Sequence, residues 1–162
     1  MEGKILIIFL YFDDLILTGD EQLIHSCKKN LAKEFEMKDL GLLHYFLGLE
    51  IRQREGELFV SQGKYAWEIL DKFHMEDYKP MDTPLPGNWR KEDAISIEVV
   101  DSTVYRQLVG SLMYLVNTRS DICYAVNQLS QVMVKPTKLF WKAIKHVLRY
   151  LRGTSEYGLC YR

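Results

Sequence analysis

The feature that most restricts the fold is an eight-residue apolar run, residues 5–12 (ILIIFLYF), which stops at once on Asp13-Asp14. It is the longest such run in the chain, and a membrane-spanning helix needs roughly 20 residues. Its isoleucines and aromatics suit a strand buried on both faces. Leu15-Ile16-Leu17-Thr18 and Gly19 follow the two acids. The opening segment therefore reads as a β-hairpin with two carboxylates at its tip. A single strand entering a loop is the alternative. A signal peptide does not fit, because acids stand where a small-residue cleavage site belongs.

The other elements point to an α+β fold. Residues 21–36 place Leu23, Ile24, Cys27, Leu31 and Phe35 at helical spacing, and Asp20 can cap that helix by accepting from its free amides. Residues 44–54 and 57–62 read as strands joined at Glu55-Gly56. Leu47, Leu49 and Ile51 alternate there with Gly48, Glu50 and Arg52. A short helix over 65–74 buries Ala66, Ile69, Leu70 and Phe73. Residues 79–100 hold three of the four prolines, with a charge cluster at 90–93. They read as an extended linker, poorly ordered over 87–94. Three helices follow, over 103–116, 121–134 and 138–152, the last capped by Thr137 and ended by Gly153. Residues 156–161 have strand character. The expected organisation is a small antiparallel sheet with helices on one face (1–78), a linker (79–100), a three-helix lobe (101–153) and a short strand within 154–162.

At 48% apolar and 27% charged residues the chain has a globular composition, not a disordered, collagen-like or disulfide-scaffold one. Three widely spaced cysteines, Cys27, Cys123 and Cys160, without a CxxC pair read as buried or free thiols of a reducing, intracellular compartment. Cys123 sits on an apolar helix and is expected in the core. The four histidines have no metal-ligand spacing. A net charge of −1 hides a strong asymmetry: from Lys135 onward there are seven basic residues and one acid.

Adjacent carboxylates repel each other and favour a divalent cation, and oxygen ligands select Mg²⁺ or Mn²⁺. On alternating strand positions only one of the pair faces a given side, so a two-metal site needs another carboxylate from a neighbouring strand. A solvated acidic turn is the plain alternative. The surroundings are more informative. Tyr11-Phe12-Asp13-Asp14 between apolar strands resembles the Y-x-D-D hairpin of reverse transcriptases. The chain resembles the copia class of retrotransposon polyproteins over essentially its full length. The matching stretches are residues 11–19 (YFDDLILTG), 35–51 (FEMKDLGLLHYFLGLEI), 58–65 (LFVSQGKY), 80–86 (PMDTPLP), 105–115 (YRQLVGSLMYL), 118–126 (TRSDICYAV) and 146–154 (HVLRYLRGT).

This resemblance implies an RNA-directed DNA polymerase family, with a partial palm over 1–78 and a three-helix thumb-like lobe after the linker. It makes Asp13 and Asp14 the catalytic and metal-holding residues, with Mg²⁺ or Mn²⁺ bound weakly. It makes 46–62 the hairpin that grips the primer end and 103–116 the helix against template–primer. Phe12 stands where the family has Val or Ala, and Ser120 where it has Pro. A larger departure is that twelve residues precede Asp13 and none is Asp, whereas the family carries its first catalytic aspartate and its fingers upstream. The chain also stops before the position of a ribonuclease H domain. The expectation is the C-terminal half of a polymerase domain, inactive by itself, because residues of a catalytic site act as a unit.

Lys138, Lys142, Lys145, Arg149 and Arg152 fall within an arc of about 80° on an ideal helix. Phe140, Ile144, Val147, Leu148 and Leu151 lie largely opposite. Such a stripe suits salt-sensitive, sequence-blind contact with phosphates, and a solvated basic face is the alternative. Gln107 and Gly110 are the candidate nucleic-acid contacts on the preceding lobe helix. A helical glycine costs about 1 kcal/mol relative to Ala, so Gly110 signals close approach by a nucleic-acid strand or another backbone, or helix packing. The expected partner is an RNA/DNA primer–template duplex. A host-domesticated protein that self-associates, or binds another protein, through exposed sheet edges is the second reading. No membrane is implicated.

Overall fold

A computed structural model describes residues 3–90 and 98–162. The apolar run becomes strand β1 (Leu6–Tyr11), and β2 (Asp14–Gly19) returns antiparallel to it, pairing Leu6 with Gly19 and Tyr11 with Asp14. Phe12 and Asp13 alone turn the chain. Two-residue hairpin loops match the twist of their strands only with positive φ in the loop, and Phe12 adopts φ 51°. Asp20 caps α1 (Glu21–Glu34), accepting from the Gln22 and Leu23 amides at 3.0 and 3.2 Å. These elements belong to one compact unit, Met1–Leu42.

Within that unit the expected burial of β1 on both faces is not found. Ile7, Ile8, Phe9 and Leu10 are all exposed, and α1 has no buried residue. Two strands and one helix offer too little apolar surface to enclose a strand. Nor do residues 1–78 share one sheet. The hairpin is a two-stranded sheet of its own, and the later strands form another.

The second unit, Leu43–Arg162, holds a four-stranded antiparallel sheet in the order β3 (Tyr45–Phe46), β4 (Leu49–Arg54), β5 (Glu57–Ser61), β6 (Gly158–Tyr161). The single strand expected over 44–54 is broken at Leu47-Gly48, where both residues have positive φ, 49° and 78°. The turn at Glu55-Gly56 lies where the sequence puts it. The strand character of the last residues is real, and β6 completes the sheet by pairing Leu58 with Tyr161 and Ser61 with Gly158.

Five α-helices occur among the described residues. Those of the second unit are α2 (Gly63–Lys72), α3 (Ser102–Leu115), α4 (Cys123–Ser130) and α5 (Lys138–Gly153), with a 3₁₀ turn over Ser120–Ile122. Their inner faces make one apolar core in which Leu70, Leu112, Leu129, Ile144 and Leu148 are essentially inaccessible. Fully burying a side chain of this size contributes about 1.5–3 kcal/mol. Asp101 caps α3 through the Thr103 and Val104 amides. The helix expected over 121–134 is shorter than its periodicity suggests. It begins as 3₁₀ and stops at Ser130, whose hydroxyl bonds back to the Asn127 carbonyl at 2.9 Å and competes with the helical ladder. Thr137 does not cap α5 with its side chain; its extended backbone forms a β-bridge with Val99 instead.

The described part of the proline-rich segment is docked, not loose. The Met81 amide donates to the Arg149 carbonyl at 3.3 Å, and Arg149 Nε donates to the Lys79 carbonyl at 2.7 Å. Arg152 Nε donates to the Glu76 carbonyl, and the His146 Nε2 lies 3.0 Å from the Thr83 carbonyl. Trp89 is buried edge-on against Phe140, and Arg90 donates to Gln128 and Gln131. The rest of the stretch expected to be poorly ordered lies outside the described residues. No helix among the described residues is long and apolar enough to cross a membrane.

Candidate functional site

The hairpin loop separates the two carboxylates by role. Asp13 is a loop residue, while Asp14 opens β2 opposite Tyr11. Both are exposed. Phe12, 85% exposed, packs edge-on against Tyr11 with ring centroids 4.9 Å apart. A bulky residue at positive φ is an outlier that costs on the order of 1–3 kcal/mol. Among the described residues no group of three or more His, Cys, Asp or Glu is placed to hold a metal ion. Two exposed carboxylates are a poor cage for Mg²⁺, which sheds water reluctantly. The pair does not by itself fit the closed site that two-metal chemistry requires.

In the second unit, Gln107 and Gly110 lie on the exposed side of α3, opposite the buried Tyr105, Leu108 and Leu112. A Cβ added at Gly110 would meet no atom within 4 Å. Helix packing is therefore not what this glycine serves, and its face is open. One turn further on, Tyr114 reaches the apex of the β3–β4 hairpin and donates its hydroxyl proton to the Leu47 carbonyl.

The basic stripe of α5 divides into two parts. Lys138, Lys142 and Lys145 are exposed. Lys138 pairs with Glu98, and Lys145 lies over the Trp141 ring at 5.7 Å. Arg149 and Arg152 are half-buried and spend guanidinium donors on carbonyls of the 76–79 segment. Arg149, placed on the phosphate-facing stripe by its spacing, is thus an internal clamp as well. Glu50, Glu68, Asp71 and Glu156 line an open cleft of about 480 Å³ with Lys64 and Trp67. That cleft repels phosphate, so the unit has one face unsuited to a nucleic-acid backbone.

Sequence reasoning missed a buried polar knot. Arg119, 2% exposed, donates to both Asp121 carboxylate oxygens at 2.9 and 2.7 Å and to the Thr154 carbonyl at 2.7 Å. Its guanidinium lies over the rings of Tyr150 and Tyr157. Tyr150 also donates to Asp121 at 2.8 Å. Burial pushes the Asp121 carboxyl up, but the hydrogen bonds from Arg119 and Tyr150 and the adjacent positive charge outweigh it and hold the group below its ordinary value. Tyr150 is pushed up, first by burial and then by its bond to Asp121. The Leu47-Gly48 apex was also missed, although a glycine inside a strand pattern is the usual signal of such a break. Cys123, expected in the core, is exposed, because it opens α4 on the outer side.

Residues 1–86 match the family model described as Reverse transcriptase (RNA-dependent DNA polymerase). The retrovirus-related Pol polyprotein from transposon RE1 of Arabidopsis thaliana is 42% identical over 159 residues, covering 97% of this chain and 11% of that protein. The corresponding polyprotein from transposon TNT 1-94 of Nicotiana tabacum is 40% identical, over 99% of this chain and 13% of its own length. An uncharacterized mitochondrial protein of Arabidopsis thaliana is 44% identical over 153 residues, 94% of this chain and 63% of that protein. The chain thus spans a small part of the polyproteins and less than two thirds of the mitochondrial protein. No solved structure matches it.

Proposed function

Because the chain belongs to the reverse transcriptase (RNA-dependent DNA polymerase) family, in its copia retrotransposon branch, we propose that it retains the nucleic-acid-holding part of that machinery without polymerase activity of its own. In this reading the first unit and the β3–β6 sheet correspond to part of a palm, and α3 to α5 to a thumb-like lobe. The observation that carries it is the open face of α3 at Gly110, beside Gln107. A face without a side chain lets a sugar–phosphate backbone approach closely, and Gln107 offers both a donor and an acceptor. Lys142 and Lys145 supply phosphate contacts. Asp13 and Asp14 are assigned as the family's hairpin carboxylates. They would hold Mg²⁺ or Mn²⁺ only weakly, and no transfer step is assigned to this chain alone.

The test is fluorescence anisotropy with a labelled RNA/DNA primer–template duplex across a salt series, alongside primer extension with Mg²⁺ or Mn²⁺. Binding should weaken linearly in log–log form with salt, at a slope of about −0.9 per phosphate contact for a B-form duplex. The double variant Lys142→Glu/Lys145→Glu should bind more weakly and with a slope shallower by about 2. Primer extension that vanishes in Asp13→Asn would overturn the inactivity. A salt slope unchanged in the double variant would reduce both lysines to a solvated face.

A second reading, association with protein, is favoured by the exposure of β1. Among the described residues no strand is placed on its other edge, and its six residues contain no charge, proline or glycine. Such edges template strand addition. Light scattering after size exclusion should then show oligomers that Ile8→Lys disperses. A wild type that runs as a monomer at high concentration defeats this reading.

A further inference from the structure

Both loop positions of a type I′ hairpin need positive φ, and Asn or Gly normally fills them. The β3–β4 hairpin instead places Leu47 at φ 49°, followed by Gly48 at 78°. A bulky residue in that conformation persists only where its surroundings over-determine it. Leu47 does not hold the turn by its own burial, because it is 45% exposed. The support comes from α3. The Tyr114 hydroxyl donates to the Leu47 carbonyl. Gly48 passes so near that a Cβ on it would lie 2.7 Å from the Tyr114 hydroxyl oxygen. The Tyr114 ring is braced in turn by Tyr65 of α2, edge-on, with centroids 5.1 Å apart and planes at 87°. The phenol is thus held by its ring and bonded at its end. On the helix it follows Gly110 by four residues, so both stand on one side.

We infer that Tyr114 is a positioning residue, a latch whose hydroxyl fixes the Leu47-Gly48 apex to α3 and makes the hairpin and the open Gly110 face one rigid jaw. Its use in gripping a nucleic-acid backbone rests on the duplex-holding function proposed above. The latch itself rests on the contacts of Tyr114, Leu47 and Gly48. Without the bond, the apex has an exposed leucine, a strained backbone and no other described hydrogen bond from α3. The hairpin would then sample positions away from the helix face.

Tyr114→Phe is the informative variant, because it keeps the braced ring and removes only the donor. Hydrogen exchange of the chain and anisotropy with the labelled primer–template duplex are measured together. Losing one neutral hydrogen bond corresponds to roughly a two- to tenfold change. Amides over 46–50 should exchange faster by that factor, with those of β5 and the buried turns of α3 unchanged. Duplex affinity should fall by a similar factor at an unchanged salt slope, because no phosphate contact is lost. Gly48→Ala should also lose affinity, because the position needs positive φ and the added Cβ would meet the Tyr114 hydroxyl oxygen. Unchanged apex exchange in Tyr114→Phe overturns the latch. Faster apex exchange with unaltered affinity, or an altered salt slope, overturns the positioning role. A wild-type chain that binds no duplex defeats the duplex reading alone, and apex exchange still decides the latch.

Discussion

Arg119 shows what single residues do here that spacing does not announce. In sequence it is one arginine among many, yet it is buried with its donors on Asp121 and Thr154. Asp121 titrates below its ordinary value when folded. Its contribution to stability is therefore complete above the unfolded pKa, about 3.9, and is lost as pH falls through the lower folded value. Thermal unfolding from pH 7 to pH 2 should show a steeper fall below about pH 4 in the wild type than in Asp121→Asn. Parallel profiles would deny the carboxylate this role. Arg119→Met should cost about 2 kcal/mol at neutral pH, because it leaves the Asp121 carboxylate without its cation and the Thr154 carbonyl with the Tyr157 amide as its remaining donor. At the hairpin, calorimetric titration of Mn²⁺ should give weak binding that Asp13→Asn/Asp14→Asn removes. Tight binding that survives the double change would put the metal elsewhere. The carboxylate pair was legible because its motif is local. Arg119 was not, because its partner Thr154 lies 35 residues away.

At the scale of elements, periodicity found α1, α2, α3 and α5, and alternation found β4 and β5. It failed where a local hydrogen bond or a positive-φ turn overrides the pattern. Ser130 shortened α4, and Gly48 split a strand. The amphipathic pattern of α5 was visible, but nothing in it says that its last two basic residues would bind carbonyls. The stripe therefore separates by experiment. Arg149→Glu should speed exchange over 79–83 and release Trp89, read as a shift in its fluorescence. Lys142→Glu/Lys145→Glu should leave both unchanged. If Arg149→Glu leaves the segment protected, the clamp is not what holds it. Leu112→Ala, in the core under α3, should cost about 2–5 kcal/mol as judged by urea unfolding.

The whole molecule divides unevenly. The first unit has no buried residue in its helix and an exposed β1, whereas the second encloses a core from four helices. Local opening follows burial. Amides of β1 and β2 should therefore exchange orders of magnitude faster than those of α3 and α5. Equal protection in the two units would mean that the hairpin is covered in solution. The α+β class could be read from the pattern, but the boundary near Leu42 could not, because the proline-rich segment looked like the natural seam and instead packs on α5. The sheet of the second unit closes only when β6 pairs with β5, with partners 97 to 103 residues apart along the chain. Loop closure over that length is slow, though its added free-energy cost is modest. During synthesis β3, β4 and β5 leave the ribosome long before their last neighbour exists. For that interval the outer edge of β5 is bare, and the nascent chain has a time window, set by translation speed, in which a chaperone or another strand can occupy it first.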